Sequence, residues 1–272
     1  MNYFVSIEST SYDCWQTELL IQSFKRLRME DNLYIAIAEK DCYVNPDFTL
    51  NILEHKNKFV FKDLGGIKNR FYALNHLVKE KIISLPLATI HPDMVLINPI
   101  GTYDVDLIFS IFDTDQEYKN EIKTIVTNMC PDKAWLILNP SAVYCVGPNM
   151  DISFFERLYN YSLQFPDNQK SLEKIIWHLA AINLYKEDKL IIEHVQLEQC
   201  LRNYALTTNF IHYNHGYPPI FHKKFFKFDN LTIDESNPYK AICLVDTNES
   251  TRHIIEIVKS YLKEWNFTLD YS

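Results

Sequence analysis

The sequence predicts an α/β fold: one domain with a mostly parallel sheet and helices on both faces. Three observations predict it. Short apolar runs rich in Val, Ile, Phe and Tyr alternate with amphipathic stretches through the first 100 residues, the pattern of strand–helix–strand units. A chain of 272 residues is long enough for one sizeable core, and it carries no internal repeat and no linker composition. Apolar residues make up 47% and charged residues 23%, both within the globular range.

The elements follow in order. Tyr3 to Ile7 is an apolar run that reads as a first strand, ended by a polar turn from Glu8 to Tyr12. Asp13 reads as an N-cap, with Gln16 three residues on completing a capping box. The helix behind it lines up Leu20, Phe24 and Leu27 on one face. Strands then read from Leu33 to Glu39 and from Lys58 to Leu64, followed by a helix over Asn69 to Lys81. Leu85 to Ile90 is a buried strand interrupted by His91-Pro92-Asp93.

The second half reads as a strand from Val105 to Phe112, a helix from Asp115 to Met129 and a strand from Ala134 to Pro140. Ala142 to Gly147 is a further strand before a helix from Ile152 to Gln164. Next comes a strongly periodic helix with Leu172, Ile175, Ile176, Leu179 and Ile182 on its apolar side. A last helix carries Ile254, Val258, Leu262 and Trp265.

Composition excludes several classes of function. With only 5 Gly, the chain has neither GxGxxG nor GxxxxGK[ST], so neither glycine-rich phosphate loop is present. Net charge is −8, which argues against a broad electrostatic grip on nucleic acid or an anionic membrane. Cys14, Cys42, Cys130, Cys145, Cys200 and Cys243 show no metal-ligand spacing and read as reduced thiols of a cytoplasmic protein. No basic region followed by an apolar stretch opens the chain, and no apolar run approaches the roughly 20 residues needed to span a bilayer. The N-x-[ST] sequons at Asn160, Asn230, Asn248 and Asn266 are therefore read as chance.

Chemistry concentrates at His91-Pro92-Asp93. In an extended segment residues two apart point the same way, so His91 and Asp93 face one space. Pro92 reinforces this by pushing His91 toward extended geometry and removing a ladder donor where the strand ends. Imidazole and carboxylate both suit Mn²⁺, whereas Mg²⁺ favours the carboxylate. On these three residues alone, an Asp capping a turn beside a hydrogen-bonded His is the competing reading.

Together these segments resemble the hydroxyproline O-arabinosyltransferases and the related peptidyl-serine galactosyltransferases. The match runs through Tyr12, Trp15-Gln16 and Ser23-Phe24-Lys25, then His91-Pro92-Asp93 with Asn98-Pro99, then Phe210 to Gly216. The resemblance implies a GT-A-like (Rossmann-like) glycosyltransferase domain, with the nucleotide-sugar half about 1–113 and the acceptor half about 114–272. It implies a UDP-sugar donor, retention of anomeric configuration, and a divalent ion, Mn²⁺ or Mg²⁺, held by His91, Asp93 and His212. His215 is the other option for the late ligand. The departure is His91, where the family pattern has an acid, and it bears directly on metal preference.

Further expectations attach to single residues. Ser9, Thr10 and Trp15 would border the nucleotide base and ribose. Arg70, near a helix N-terminus, would hold an anion. Lys223 and Lys224, with Lys227 among aromatics, would steady the departing diphosphate or an anionic acceptor. Asp167 and Glu173 would orient or deprotonate the acceptor hydroxyl, or else act as favourable helix N-terminal charges.

The resemblance implies UDP-linked arabinofuranose or galactose, which makes UDP-arabinose the first donor. The leading acceptor is 5-hydroxymethylcytosine in bacteriophage DNA, since the Lys-, Asn-, Ile- and Tyr-rich composition suits an AT-rich microbial or viral genome. A basic patch joining Lys25 to Arg28 with Lys223 to Lys227 would have to offset the acidic charge. A saccharide or protein hydroxyl stands behind DNA. A non-catalytic nucleotide-sugar binding module is the competing class.

Overall fold

The computed structural model describes residues 1–9, 11–39, 52–111, 123–125, 127–128, 131, 140–167, 172–185, 191–200 and 209–212. In chain order the elements are β1 (Asn2–Glu8), α1 (Ser11–Arg26), β2 (Leu33–Glu39), β3 (Lys58–Lys62) and α2 (Ile67–Lys79). Then come β4 (Leu87–Thr89), β5 (Met94–Leu96), β6 (Leu107–Ile111), β7 (Pro140–Val146), α3 (Ser153–Ser162) and α4 (Leu172–Tyr185). The short strands β8 (Ile192–Val195), β9 (Glu198–Cys200) and β10 (Phe210–His212) complete the described chain.

Seven strands form one sheet in the order β3-β2-β1-β4-β7-β6-β8. β1 pairs in parallel with β2 and β4, β2 with β3, and β6 with β8, whereas β7 runs antiparallel to both β4 and β6. The sheet is therefore mostly parallel, as the alternating pattern predicts. A second sheet in the order β5-β10-β9 joins β5 to two strands from the far end of the described chain.

Strand alternation assigns the two cores. From β1, Tyr3, Val5 and Ile7 enter one cluster with Leu19, Leu20 and Phe24 of α1 and all three residues of β5. Phe4, one step out of phase, enters the other with Phe71, Leu74 and Leu77 of α2, Phe154 and Phe155 of α3, and Trp177 of α4. In β7 the same alternation sends Val143 and Cys145 to the first cluster, and Tyr144 and Val146 to the second. Each face of the sheet is thus covered, α1 and the small sheet on one side, α2, α3 and α4 on the other. Tyr144 stacks on Trp177 at 4.5 Å with the rings 6° apart.

Some expectations are corrected. α1 begins at Ser11, so Asp13 lies inside the first turn rather than at the N-cap. Its carboxylate accepts instead from the backbone N–H of Glu8 at 3.2 Å, bracing the end of β1, and Gln16 is buried. The apolar positions of α4 do not form one stripe. Leu172 and Ile176 face the main core, while Ile175, Leu179 and Ile182 face a separate cluster with Phe165. The helix is buried on two sides, which a single 3.6-residue stripe does not describe.

The strand expected to continue to Ile90 ends at Thr89, and the chain leaves the large sheet through His91-Pro92-Asp93 to enter the small one. β8, β9 and β10 carry too few residues to show a period. The helix from Asp115 to Met129 is described only at 123–125 and 127–128, where it is helical; the strand from Ala134 is described only from Pro140, the first residue of β7. The helix around Ile254 to Trp265 lies outside the described residues. No helix among the described residues is long and apolar enough to cross a membrane.

Candidate active site

Because β1, β2 and β4 are parallel neighbours, their carboxyl ends lie along one edge of the sheet. Ser9 follows β1 there, its N–H donating to the carbonyl of Ala38 at 3.1 Å. His91 follows β4 at the same edge, the usual place for a ligand in an open α/β sheet.

The turn before α2 delivers the next component. Asp63 accepts from the Gly65 N–H at 2.9 Å and from the Asn69 side-chain amide at 2.6 Å, and Asn69 in turn accepts from the Leu64 N–H at 2.7 Å. Gly65 and Gly66 adopt φ of +89° and +49°, values a β-carbon disfavours. The closed turn presents the first turn of α2 to the segment that opens α4, and two ion pairs join them. Lys68 reaches Asp167 at 3.1 Å, and Arg70 is bonded directly to Glu173.

Arg70, Glu173 and His91 form a continuous chain. One Arg70 Nη donates to Glu173 Oε1, and the other donates to the Ile90 carbonyl at 2.9 Å. Glu173 Oε2 lies 2.9 Å from His91 Nε2. The opposite ring nitrogen, Nδ1, faces Asp93 Oδ1 at 4.0 Å. The side chains of Arg70, Glu173 and Asp93 are 8%, 14% and 17% exposed, and His91 is the most open at 28%. Burial raises the Glu173 carboxyl, but the Arg70 guanidinium and the His91 imidazole outweigh it and hold the group down at about 2.

Of the residues singled out in the sequence, Arg70, His91, Asp93 and Glu173 converge. Asp167 belongs to a neighbouring arrangement, half exposed and held by Lys68 over the Gly65–Gly66 turn, where a β-carbon on Gly65 would sit 3.5 Å from its Oδ2. The link from Arg70 to Glu173 spans 103 residues and leaves no local signal in the sequence. The Ile90 carbonyl and the Asp63–Asn69 clasp escaped the sequence reading too; a carboxylate shortly before an Asn at a helix start is a cue for the clasp.

His212 is the third expected ligand. β10 pairs antiparallel with β5 in a register that sets His212 opposite Met94, the residue after Asp93. Its backbone is therefore carried to the corner by strand pairing, while its side chain lies outside what is described. Thr10, His215, Lys223, Lys224 and Lys227, and the side chain of Trp15, likewise lie outside the described residues. Lys25, Arg26 and Arg28 are exposed at and just beyond the end of α1. The chain there turns back toward the start of β2, the edge away from His91, so they do not extend this corner.

The donor set fits a divalent ion in part. Among the described residues no three His, Cys, Asp or Glu side chains converge as a metal site. Yet Nδ1 and Oδ1 at 4.0 Å are too far apart for a hydrogen bond. They lie within the roughly 4.2 Å that two bonds of about 2.1 Å can span. An imidazole nitrogen with a carboxylate oxygen is a donor pair suited to Mn²⁺.

No family model matches the chain, and no curated protein matches it. Among solved structures it is similar to the galactosyltransferase LgtC in complex with donor and acceptor sugar analogues, at 13% identity and a TM-score of 0.48, over 93% of this chain and 99% of that one. It is similar also to the glycosyltransferase GlyE of Streptococcus pneumoniae TIGR4, at 10% identity and 0.47, over 97% and 63%. A third is glucosyl-3-phosphoglycerate synthase from Mycobacterium tuberculosis with Mn²⁺, UDP and glucosyl-3-phosphoglycerate, at 13% identity and 0.44, over 71% and 69%. The first two carry the name of a galactosyltransferase and a glycosyltransferase, the third that of a synthase, and the likeness is one of backbone arrangement.

Proposed function

We propose that this chain is a metal-dependent glycosyltransferase that moves a sugar from a nucleotide diphosphate to an acceptor hydroxyl. The observation that carries the reading is the placement of His91 and Asp93 beyond β4, at the ligand edge of the sheet, with Nδ1 and Oδ1 4.0 Å apart. The motif resemblance through Trp15-Gln16, His91-Pro92-Asp93 and Phe210 to Gly216 supplies the reaction class.

Asp93, His91 and His212 would hold the ion, which would supply positive charge against the departing diphosphate. Ser9, Thr10 and Trp15 receive the nucleotide, and Lys223 and Lys224 steady the diphosphate. In the transfer the acceptor oxygen forms a bond to the anomeric carbon, and the bond from that carbon to the diphosphate breaks. The hydroxyl proton passes to a base, for which Asp167 is the more open of the two carboxylates. Arg70 is engaged by Glu173 and Ile90, so its part is to shape the corner rather than to grip an anion.

The donor in this reading is UDP-arabinose, with retention of configuration. The first acceptor to test is 5-hydroxymethylcytosine in duplex DNA, followed by saccharide and protein hydroxyls.

Nucleotide release from a panel of UDP-sugars, with and without Mn²⁺, tests the reaction class. Mn²⁺-dependent release that falls at least about 100-fold in Asp93→Asn is expected. Release indifferent to both the metal and Asp93 overturns the metal-dependent mechanism, and absence of turnover across donors and acceptors favours a binding module. Sugar mass gained by hydroxymethylated duplex DNA supports the nucleic-acid acceptor, whereas mass gained only by small acceptors removes it.

A further inference from the structure

The hydrogen bond between His91 and Glu173 has a chemical consequence for the ring. A neutral imidazole carries one N–H and one lone pair. Glu173 accepts from the Arg70 guanidinium through its other oxygen and meets the ring as an acceptor, so the contact at 2.9 Å calls for the proton on Nε2. Nδ1 then carries the lone pair, and it is Nδ1 that faces Asp93 Oδ1. A lone pair 4.0 Å from a carboxylate oxygen is repelled by it, and a divalent cation bound by both turns that repulsion into attraction.

The support behind the histidine is itself held by hydrogen bonds. Glu173 sits in the first turn of α4, beneath the positive end of that helix, and is fixed by Arg70. Arg70 is fixed in turn by the carbonyl of Ile90, the residue immediately before His91. The loop of contacts closes on itself within the corner.

We propose that Glu173 is a positioning residue that sets His91 in the Nε2–H tautomer and makes Nδ1 a divalent-cation ligand beside Asp93. This rests on the metal part of the function proposed above. It changes the role of Glu173: the carboxylate acts through His91 and not on the acceptor hydroxyl. A carboxylate behind a metal-binding histidine raises its basicity and fixes its orientation, and its loss typically costs 10- to 100-fold in metal affinity.

Two measurements test it on the full chain. Long-range ¹H–¹⁵N correlation at pH 8 reads the His91 tautomer without any substitution; a protonated Nε2 and a bare Nδ1 are expected. A ring protonated on Nδ1, alone or on both nitrogens, overturns the proposal, since it describes an imidazolium bridging two carboxylates or the opposite tautomer. In the second measurement, electron paramagnetic resonance of free Mn²⁺ gives the dissociation constant. About 10- to 100-fold weakening in Glu173→Gln is expected, at least as much in Asp93→Asn, and none in Lys68→Ala.

Wild-type Mn²⁺ affinity in a folded Glu173→Gln, or no Mn²⁺ binding by the wild-type chain, overturns the proposal. The two readings fail separately. Glu173-dependent Mn²⁺ binding without turnover of any sugar nucleotide leaves the positioning role and removes the transferase. Turnover with Mn²⁺ affinity indifferent to Glu173 does the reverse.

Discussion

At the scale of single residues, the corner is held by one buried ion pair whose two members do different jobs. Arg70 is 8% exposed and Glu173 14%, so removing the cation leaves a carboxylate in poor contact with water. Arg70→Ala is therefore expected to cost about 3–5 kcal/mol, the usual range when one member of a buried pair is lost, measured by urea unfolding. Lys68→Ala removes the neighbouring pair with Asp167, which is 48% exposed, and should cost less than about 1 kcal/mol. A comparable loss in both variants would show that solvent screens the Arg70 pair as well. Arg70, His91, Asp93 and Glu173 were each visible in the sequence as residues able to do chemistry. Which of them touch was not, because 82 residues separate His91 from Glu173 and no local pattern encodes that distance.

Among the elements, register and close approach do the positioning. Gly147 follows β7, and a β-carbon placed on it would lie 1.8 Å from the Val105 carbonyl oxygen, ahead of β6. Backbone cannot move aside as a flexible side chain can, and the Gly147 N–H already donates to the Asp106 carbonyl at 2.8 Å. Asp106 also ties this junction to Ile191 at 2.8 Å through its side chain. Gly147→Ala should cost about 2–3 kcal/mol or more, while Gly101→Ala, which meets nothing within 4 Å, should be close to neutral. Equal melting temperatures for the two variants would contradict this. Strands β1 and β2 were legible as short apolar runs, and helices α2, α3 and α4 as longer stretches that mix apolar and polar positions. β9 and β10 have three residues each and no period of their own. β10 adds to the edge of β5 and β9 to the edge of β10, and the first pairing brings position 212 beside Met94.

Across the whole molecule, two buried acids couple stability to pH. Burial, aided by nearby Cys145 and offset in part by the Ile100 N–H, pushes the Tyr3 phenol up to about 12, and burial pushes the Cys145 thiol up to about 12. Each keeps its proton in the folded state at a pH where the unfolded chain has lost it. The folded state then binds more protons, so stability falls as pH rises. The loss is expected to begin near pH 9 and to reach a few kcal/mol by about pH 12, read from urea midpoints at stepped pH. Cys145 should also resist alkylation in the native protein and react on unfolding.

Alone, the sequence determined the α/β class, the strand and helix cores of the first half, and the chemical types gathered at His91-Pro92-Asp93, since periodicity and side-chain chemistry are local properties. Only the tertiary structure decided that β7 runs antiparallel, that α4 is buried on two sides, and that Arg70 and Glu173 stand behind His91. Those depend on contacts across scores of residues, where burial and pairing energies of the assembled fold choose among arrangements that local preference leaves equal.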